Sequence, residues 1–320
     1  MANDKKTISI LVPAYNESES LHYLYKRLCS LSEKLDNYNF EFFFVNDGSH
    51  DNTLEIIKKY AKDDARIAYI NLSRNFGKEI AMIAGIDHVS GDALVIMDAD
   101  LQDPPELIPK MVRYWEDGYD DVYAKRRSRA GETFIKKKTS ELFYKILQKS
   151  TNITIQTDTG DFRLLDKRCI LALRQFRESE RYTKGMFSWI GYKKKEVLYD
   201  RDPRIAGKTK WNYAKLINLA IDGITSFTTA PLRISTIIGS VISFLAFIYL
   251  LFLVFRTIFF GSNLAGYPSM MAVILFLGGF QLLSIGIIGE YIGRIFNETK
   301  NRPLYFMEEL HESKRTNKKA

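Results

Sequence analysis

Two long stretches without a charged side chain, Ile234–Phe255 and Met270–Ile288, constrain this chain more than any other feature. About 20 apolar residues cross the hydrocarbon core of a bilayer as a helix, so both stretches read as transmembrane spans. The alternative is a pair of helices buried in a soluble core. The connecting segment Thr257–Ser269 carries no charge, whereas Lys208, Lys210, Lys215 and Arg233 precede the first run. Arg294, Lys300, Arg302, Lys314, Arg315, Lys318 and Lys319 follow the second. Loops on the cytoplasmic side carry the excess of Lys and Arg, so both termini are expected there, in a multi-pass protein of the cytoplasmic membrane. Two spans suit an anchor better than a pore. Gly278, Gly279, Gly286 and Gly289 are small enough for close helix approach, which predicts a dimer or tetramer.

The N-terminal apolar stretch Thr7–Val12 is too short for a signal-peptide core, so the preceding domain is expected in the cytoplasm. Cys29 and Cys169 show no metal-type spacing and read as reduced thiols. A net charge of +8 beside apolar spans points to anionic lipid and phosphate-bearing ligands. Nucleic acid is the poorer fit, because no clustered basic and aromatic element is present.

Residues 1–125 alternate short apolar runs with helical spacing. Ile8–Val12, Phe40–Val45, Ile67–Leu72 and Leu94–Met97 have the β-branched and aromatic content of buried strands. Between the first two, Leu21, Leu24, Leu28, Leu31 and Leu35 recur at helical spacing. This order predicts parallel βαβ units in a doubly wound α/β sheet, with ligands bound beyond the carboxyl ends of its strands. Polar residues follow each run: Pro13, Tyr15, Asn16 and Glu17; Asp47, Gly48, Ser49, Asp51 and Thr53; Arg74, Gly77 and Lys78; Asp98, Asp100, Gln102 and Asp103.

Two carboxylates one residue apart, Asp98 and Asp100, repel unless a cation sits nearby. Their oxygen ligands suit Mg²⁺ or Mn²⁺, ions that also bridge a diphosphate. Asp51 and Thr53 read as a helix start after Gly48. Asp47 reads equally as a helix cap or as a base or ribose contact, and Gly77 allows close backbone approach to a phosphate. Phe134–Lys149 and Trp211–Phe227 read either as amphipathic helices packed on the domain or as helices in the membrane interface.

The motifs Pro13-x-Tyr15-Asn16-Glu17, Asn46-Asp-Gly-Ser49, Ser73-Arg-Asn-Phe-Gly-Lys78 and Asp98-Ala-Asp-Leu-Gln-Asp-Pro-Pro-Glu106 resemble those of family-2 inverting glycosyltransferases. Thr159-Gly-Asp-Phe-Arg-Leu164, Arg204-x-x-Gly-Lys-Thr-Lys-Trp211 and the two apolar runs extend the resemblance to the polyprenyl-phosphate branch. That branch includes bactoprenol glucosyltransferases and dolichol-phosphate mannose synthases. The resemblance implies a GT-A fold with interfacial helices over residues 1–230, a two-helix transmembrane hairpin over 231–295 and a basic cytoplasmic tail over 296–320. It implies a nucleotide-sugar donor, a polyisoprenyl phosphate acceptor such as undecaprenyl phosphate, Mg²⁺ or Mn²⁺, and a separate flippase downstream.

Carried over residue by residue, it gives Pro13, Tyr15, Asn16, Glu17, Asp47, Ser49, Arg74, Gly77, Lys78 and Asp98 to the nucleotide-sugar. Asp98, Asp100 and Gln102 would hold or orient the metal and diphosphate. Arg126 or Arg127, Arg204 and Lys210 would meet phosphates, and Asp161 matches the family's candidate base. Thr209 stands where a serine is frequent, and it retains the hydroxyl. A lipid phosphate is already largely anionic at pH 7, so Asp161 is either a base or a group that orients Arg163 or the acceptor. Two other functions are weighed against this one. A processive polysaccharide synthase would need more spans and a Gln-x-x-Arg-Trp motif, which is absent here. A degenerate membrane scaffold fits poorly with an intact Asp98/Asp100 pair.

Overall fold

A computed structural model describes residues 5–127, 159–179, 183–200, 230–260 and 266–313. Four strands alternate with three helices at the start: β1 Thr7–Ala14, α1 Leu21–Lys34, β2 Asn39–Asn46, α2 Thr53–Asp63, β3 Ile67–Leu72, α3 Lys78–His88 and β4 Ala93–Ile96. Then come α4 Ile108–Glu116, β5 Asp121–Arg126, β6 Thr159–Asp166, α5 Lys167–Leu173, α6 Thr183–Trp189 and β7 Lys194–Tyr199. Two long helices, α7 Ala230–Phe260 and α8 Tyr267–Thr299, precede a last strand, β8 Met307–His311.

The strands form one eight-stranded sheet in the order β7-β5-β6-β4-β1-β2-β3-β8. The expected parallel pairs β1–β2, β2–β3 and β1–β4 are present. The sheet is mixed, however, because β6 runs antiparallel to β4 and β5, and β8 runs antiparallel to β3. Side chains alternate between faces along a strand, so a strand covered on both faces reads as a near-continuous apolar run. Phe42 and Phe44 face a core with Leu24, Leu28, Ile57 and Met111, while Phe43 and Val45 face Met82, Ile83, Ile170 and Phe187. This two-sided burial explains the continuous apolar runs.

The long helices pack antiparallel to each other. Ser235 donates to Ser284 Oγ at 2.9 Å, and a Cβ on Gly239 would meet the Phe280 ring at 3.5 Å. Their outer faces expose large apolar side chains, with Phe244 65% and Leu282 72% accessible. Among the described residues, Phe276–Thr299 is long and apolar enough to cross a membrane, and Ile234–Tyr249 is a shorter apolar stretch.

Part of the segment expected as a basic tail over 296–320 is built into the fold. Residues 307–311 return to the sheet, pairing Tyr69 with His311 and Asn71 with Glu309. The backbone of β3 would otherwise be an open edge, and β8 covers it. The amphipathic stretches Phe134–Lys149 and Trp211–Phe227 lie outside the described residues.

Candidate active site

The carboxyl ends of β1 to β4 share one rim, as parallel strands require. Strand β6 runs the other way, with Arg163 opposite Ile96, so its first residues, Thr159 to Asp161, lie beyond the end of β4. Antiparallel pairing thus brings Asp161 to Asp98 across a long sequence separation.

At the β2 end of the rim, Asp47 is the hub. Its carboxylate accepts the backbone N–H of Phe76 at 2.7 Å and of Gly77 at 2.9 Å, and it is 3% exposed. Burial raises its pKa, although the two N–H donors and the nearby Arg74 charge pull the other way. Asp47 therefore holds the β3–α3 loop in place in this structure. Gly48 explains the closeness: its φ is +63°, and a Cβ there would lie 2.4 Å from the Arg74 carbonyl carbon.

The next residues lock the β1–α1 loop. Ser49 Oγ accepts from Asn16 N at 3.0 Å, and Asn16 Oδ1 accepts from His50 N at 2.8 Å. Thr53 Oγ1 accepts from Glu17 N at 2.8 Å, and Asp51 accepts from Ser18 N and Thr53 N. Against the cost of burial, hydrogen bonds from Thr53 and Ser18 hold the Asp51 carboxyl below its ordinary range. Asp51 therefore does more than start α2, since it also ties down the neighbouring loop. Asn16 itself takes a left-handed φ of +56°, a conformation asparagine tolerates better than most residues. Tyr15 packs edge-on to His50, and Pro13 sits half-buried at the end of β1 opposite Val45.

Lys78, the first residue of α3, bridges the two halves of the rim. Its Nζ lies 2.6 Å from Asp98 Oδ1 and 2.6 Å from Asp161 Oδ2. Burial disfavours its charge, yet the two carboxylates more than offset that and raise its pKa above the ordinary lysine value. Arg74, exposed on the β3–α3 loop, stacks 4.0 Å over the Phe76 ring. Above Gly77, φ +95°, there is open space where a Cβ would point.

Asp100 accepts from the Gln102 N–H at 3.1 Å in a turn whose central Leu101 has φ +62°. Among the described residues, no group of three or more His, Cys, Asp or Glu side chains converges as a metal site. The donor set still fits a hard divalent cation. Asp98 and Asp161 already draw a cationic ammonium between them, and Mg²⁺ commonly binds through one or two carboxylates plus phosphates and water.

Opposite this cluster, Asp103 accepts from Tyr199 OH at 3.0 Å, and Arg126 also hydrogen-bonds that phenol. Burial and then Asp103 push the Tyr199 pKa up to about 12. Arg126 is half-buried, whereas Arg127 is exposed, with Asp200 3.6 Å away. Tyr199 was missed in the sequence, and Asp103 was noted there only as a polar residue following β4. The signal was an acidic residue just past the Asp98/Asp100 pair, with no hint of its distant partner. Arg204 and Lys210 lie outside the described residues.

Arg163 does not reach the rim, which corrects its expected catalytic place. It is fully buried, 3.1 Å from Asp121 Oδ2, and its guanidinium lies 3.7 Å over the Phe187 ring. Two residues along β6 separate it from Asp161 and carry it below α6. Asp121, another residue that drew no attention in the sequence, has its pKa raised by burial and partly restored by Arg163 and Lys194.

Comparison with known proteins fits this geometry. Residues 9–172 match the model of glycosyl transferase family 2, and residues 230–295 match that of the GtrB C-terminal hairpin. An uncharacterised glycosyltransferase of Synechocystis is 50% identical over 95% of both chains. A prophage bactoprenol glucosyl transferase homolog of Escherichia coli is 46% identical over 95% of this chain and 99% of its own. The solved mannosyl-3-phosphoglycerate synthase of Rubrobacter xylanophilus is 16% identical over 68% of this chain and 71% of its own, with a TM-score of 0.46. A family-2 domain on a mixed α/β sheet, followed by that hairpin, makes the chain a member of glycosyl transferase family 2, with the GT-A fold.

Proposed function

We propose that the protein transfers a sugar, glucose or N-acetylglucosamine, from a UDP-sugar to a polyisoprenyl phosphate such as undecaprenyl phosphate, with inversion at the anomeric carbon. The observation that carries this reading is Lys78 bridging Asp98 and Asp161, because it joins the leaving-group side of the rim to the acceptor side. The relatives named as bactoprenol glucosyl transferases support the acceptor class.

The chemistry needs little from a base. An oxygen of the lipid phosphate attacks the anomeric carbon, the bond from that carbon to the diphosphate oxygen breaks, and its electron pair leaves with UDP. A dianionic phosphate has no proton to surrender, so Asp161 serves to place Lys78 and the acceptor. The loops fixed by Asp47, Ser49 and Asp51 hold the nucleoside, and Arg74, Lys78 and the open face at Gly77 meet the diphosphate. Asp98, Asp100 and Gln102 would hold Mg²⁺ or Mn²⁺, which supplies neutralisation of the departing diphosphate. Arg126, Arg127, Arg204 and Lys210 are assigned to the phosphates of donor or acceptor.

The hairpin is assigned to the membrane as two spans. Strand β7 before it and β8 after it belong to one sheet, so the chain must leave and return on the same side. Two crossings satisfy that and keep both flanking segments on one side, which their basic residues assign to the cytoplasm. Anchoring holds the enzyme on the surface that carries its acceptor, raising their effective concentration. Gly278, Gly279, Gly286 and Gly289 have nothing within 4 Å of an added Cβ, and a dimer or tetramer contact is assigned there. With two spans per chain, moving the product outward is assigned to a separate flippase.

The test is transfer from a panel of radiolabelled nucleotide-sugars to undecaprenyl phosphate in detergent, with Mg²⁺ or Mn²⁺ and then with chelator. One donor giving an organic-soluble, chelator-sensitive product is expected. No labelled lipid from any donor overturns the reading.

A further inference from the structure

We infer that Glu308, in the strand that follows the hairpin, is a positioning residue for the donor side of the site, acting through Asn71 and Asn46. The inference rests on the assignment of the Asp47 loops to the nucleotide. It starts from an irregularity in the sheet. Along β3, Asn71 and Leu72 are consecutive, but their partners in β8 are Glu309 and Met307. Glu308 is thus the extra residue of a β-bulge. Regular strands send neighbouring side chains to opposite faces, whereas a bulge re-aims one of them, and bulges are over-represented next to active sites.

The consequence is visible in the partners. Glu309 accepts from Tyr69 OH at 2.6 Å, and Glu308 accepts from Asn71 Nδ2 at 2.9 Å. Tyr69 and Asn71 are two residues apart on β3, hence on one face, so two successive carboxylates of β8 serve that face. Glu309 is already engaged by Tyr69 and Lys58, which leaves Glu308 for Asn71.

From Glu308 the hydrogen bonds run inward in a fixed direction. An ionised carboxylate only accepts, so it turns the amide nitrogen of Asn71 toward itself and the amide oxygen away. That oxygen then accepts from Asn46 Nδ2 at 2.7 Å. Asn71 is 7% and Asn46 1% exposed, so neither amide has water as an easy substitute. Asn46 is the last residue of β2 and immediately precedes Asp47, whose carboxylate holds Phe76 and Gly77. A second tie reaches the same loop, where Ser73 N donates to the Phe306 carbonyl at 3.0 Å. The re-entry strand therefore sets the pose of the donor loops without touching the donor.

The experiment measures UDP affinity, with Mg²⁺ present, and donor KM and kcat on full-length protein in detergent. Variants are Glu308→Ala and Glu308→Gln. Loss of one charge-assisted hydrogen bond predicts a rise in UDP Kd and donor KM of about five- to tenfold for Glu308→Ala, with kcat within about twofold of wild type. Glu308→Gln keeps an accepting oxygen without the charge and should recover part of the lost affinity. If Glu308→Ala does not fold, Asn71→Asp, which sets a second carboxylate against Glu308, is read in the same way. Unchanged UDP affinity in the folded variant overturns the inference while leaving the donor site intact. Wild-type protein that binds no UDP overturns the donor-site assignment and this inference with it.

Discussion

Replacing Lys78 with Met tests the centre of the proposed mechanism. Two contacts of 2.6 Å join its ammonium to Asp98 and Asp161, so their oxygens lie no more than about 5 Å apart. A hydrogen bond to a charged group contributes about 1.5–3 kcal/mol, and Lys78 makes two. Its side chain is 43% exposed, so solvent screens part of both. A net loss near 3 kcal/mol in the transition state remains, or about 100-fold in kcat/KM. Removal also leaves two carboxylates facing each other. At about 5 Å and an effective dielectric near 20 their repulsion is about 3 kcal/mol, and screening brings it to about half. This repulsion adds to the loss of activity expected of the variant.

The lysine itself contributes no titration near neutral pH. Its pKa is raised above 10.5, so the stabilisation it gives is fully present below that value and fades only above it. Initial rates of lipid labelling between about pH 5 and pH 9, for wild type, Lys78→Met and Lys78→Arg, supply the comparison, with Arg expected to recover part of the loss. A Lys78→Met enzyme within threefold of wild type across that range refutes the argument.

Other expectations follow from the buried groups. Arg163→Met strands the Asp121 charge and should cost about 3–5 kcal/mol in denaturant unfolding, while adding Asp121→Leu should recover most of it along with activity; a stable but inactive double variant would return Arg163 to the chemistry. Gly48→Ala forces a Cβ into the Arg74 backbone at positive φ, so a loss of about 2 kcal/mol or more and of UDP binding is expected by thermal shift and calorimetry. Burial raises the Asp47 pKa, so its charge costs stability at neutral pH and that cost is relieved as pH falls through the raised value. Asp47→Asn should remove this component from unfolding curves between about pH 4 and pH 7, and an unchanged slope argues against it. Cys169, fully buried and with its thiol pKa raised by burial, should resist a thiol reagent until the protein unfolds; rapid labelling in the native state contradicts that packing.

The four parallel strands were legible because each is covered on both faces and is therefore apolar at most positions. Ile67–Leu72 is β3 without adjustment, and Leu21, Leu24, Leu28 and Leu31 are the buried face of α1, with Leu35 just past its end. The rim was legible too, since polar residues directly after such strands have one place to go. What escaped were pairings across long separations. Nothing near Phe162 announces that β6 runs antiparallel to β4, and that pairing buries Arg163 while bringing Asp161 to Lys78 at the rim. Residues 307–311 read as a charged tail because a short edge strand with two glutamates lacks an apolar pattern. Asp47 was recognised as important, but its pairing with two backbone amides depends on the close approach that Gly48 permits.

Closing the sheet with a strand from the far end of the chain also sets an order of events during synthesis. The ribosome releases β3 some 240 residues before the Glu309 that pairs beside it, and both long helices must emerge in between. Until then the nascent domain carries an unprotected edge, the kind of surface that recruits chaperones or pairs with the wrong strand. Completion of the fold is thereby deferred until the hairpin has been made. Molecules that stall before that point keep a visible mark of immaturity, on which proteolysis can act.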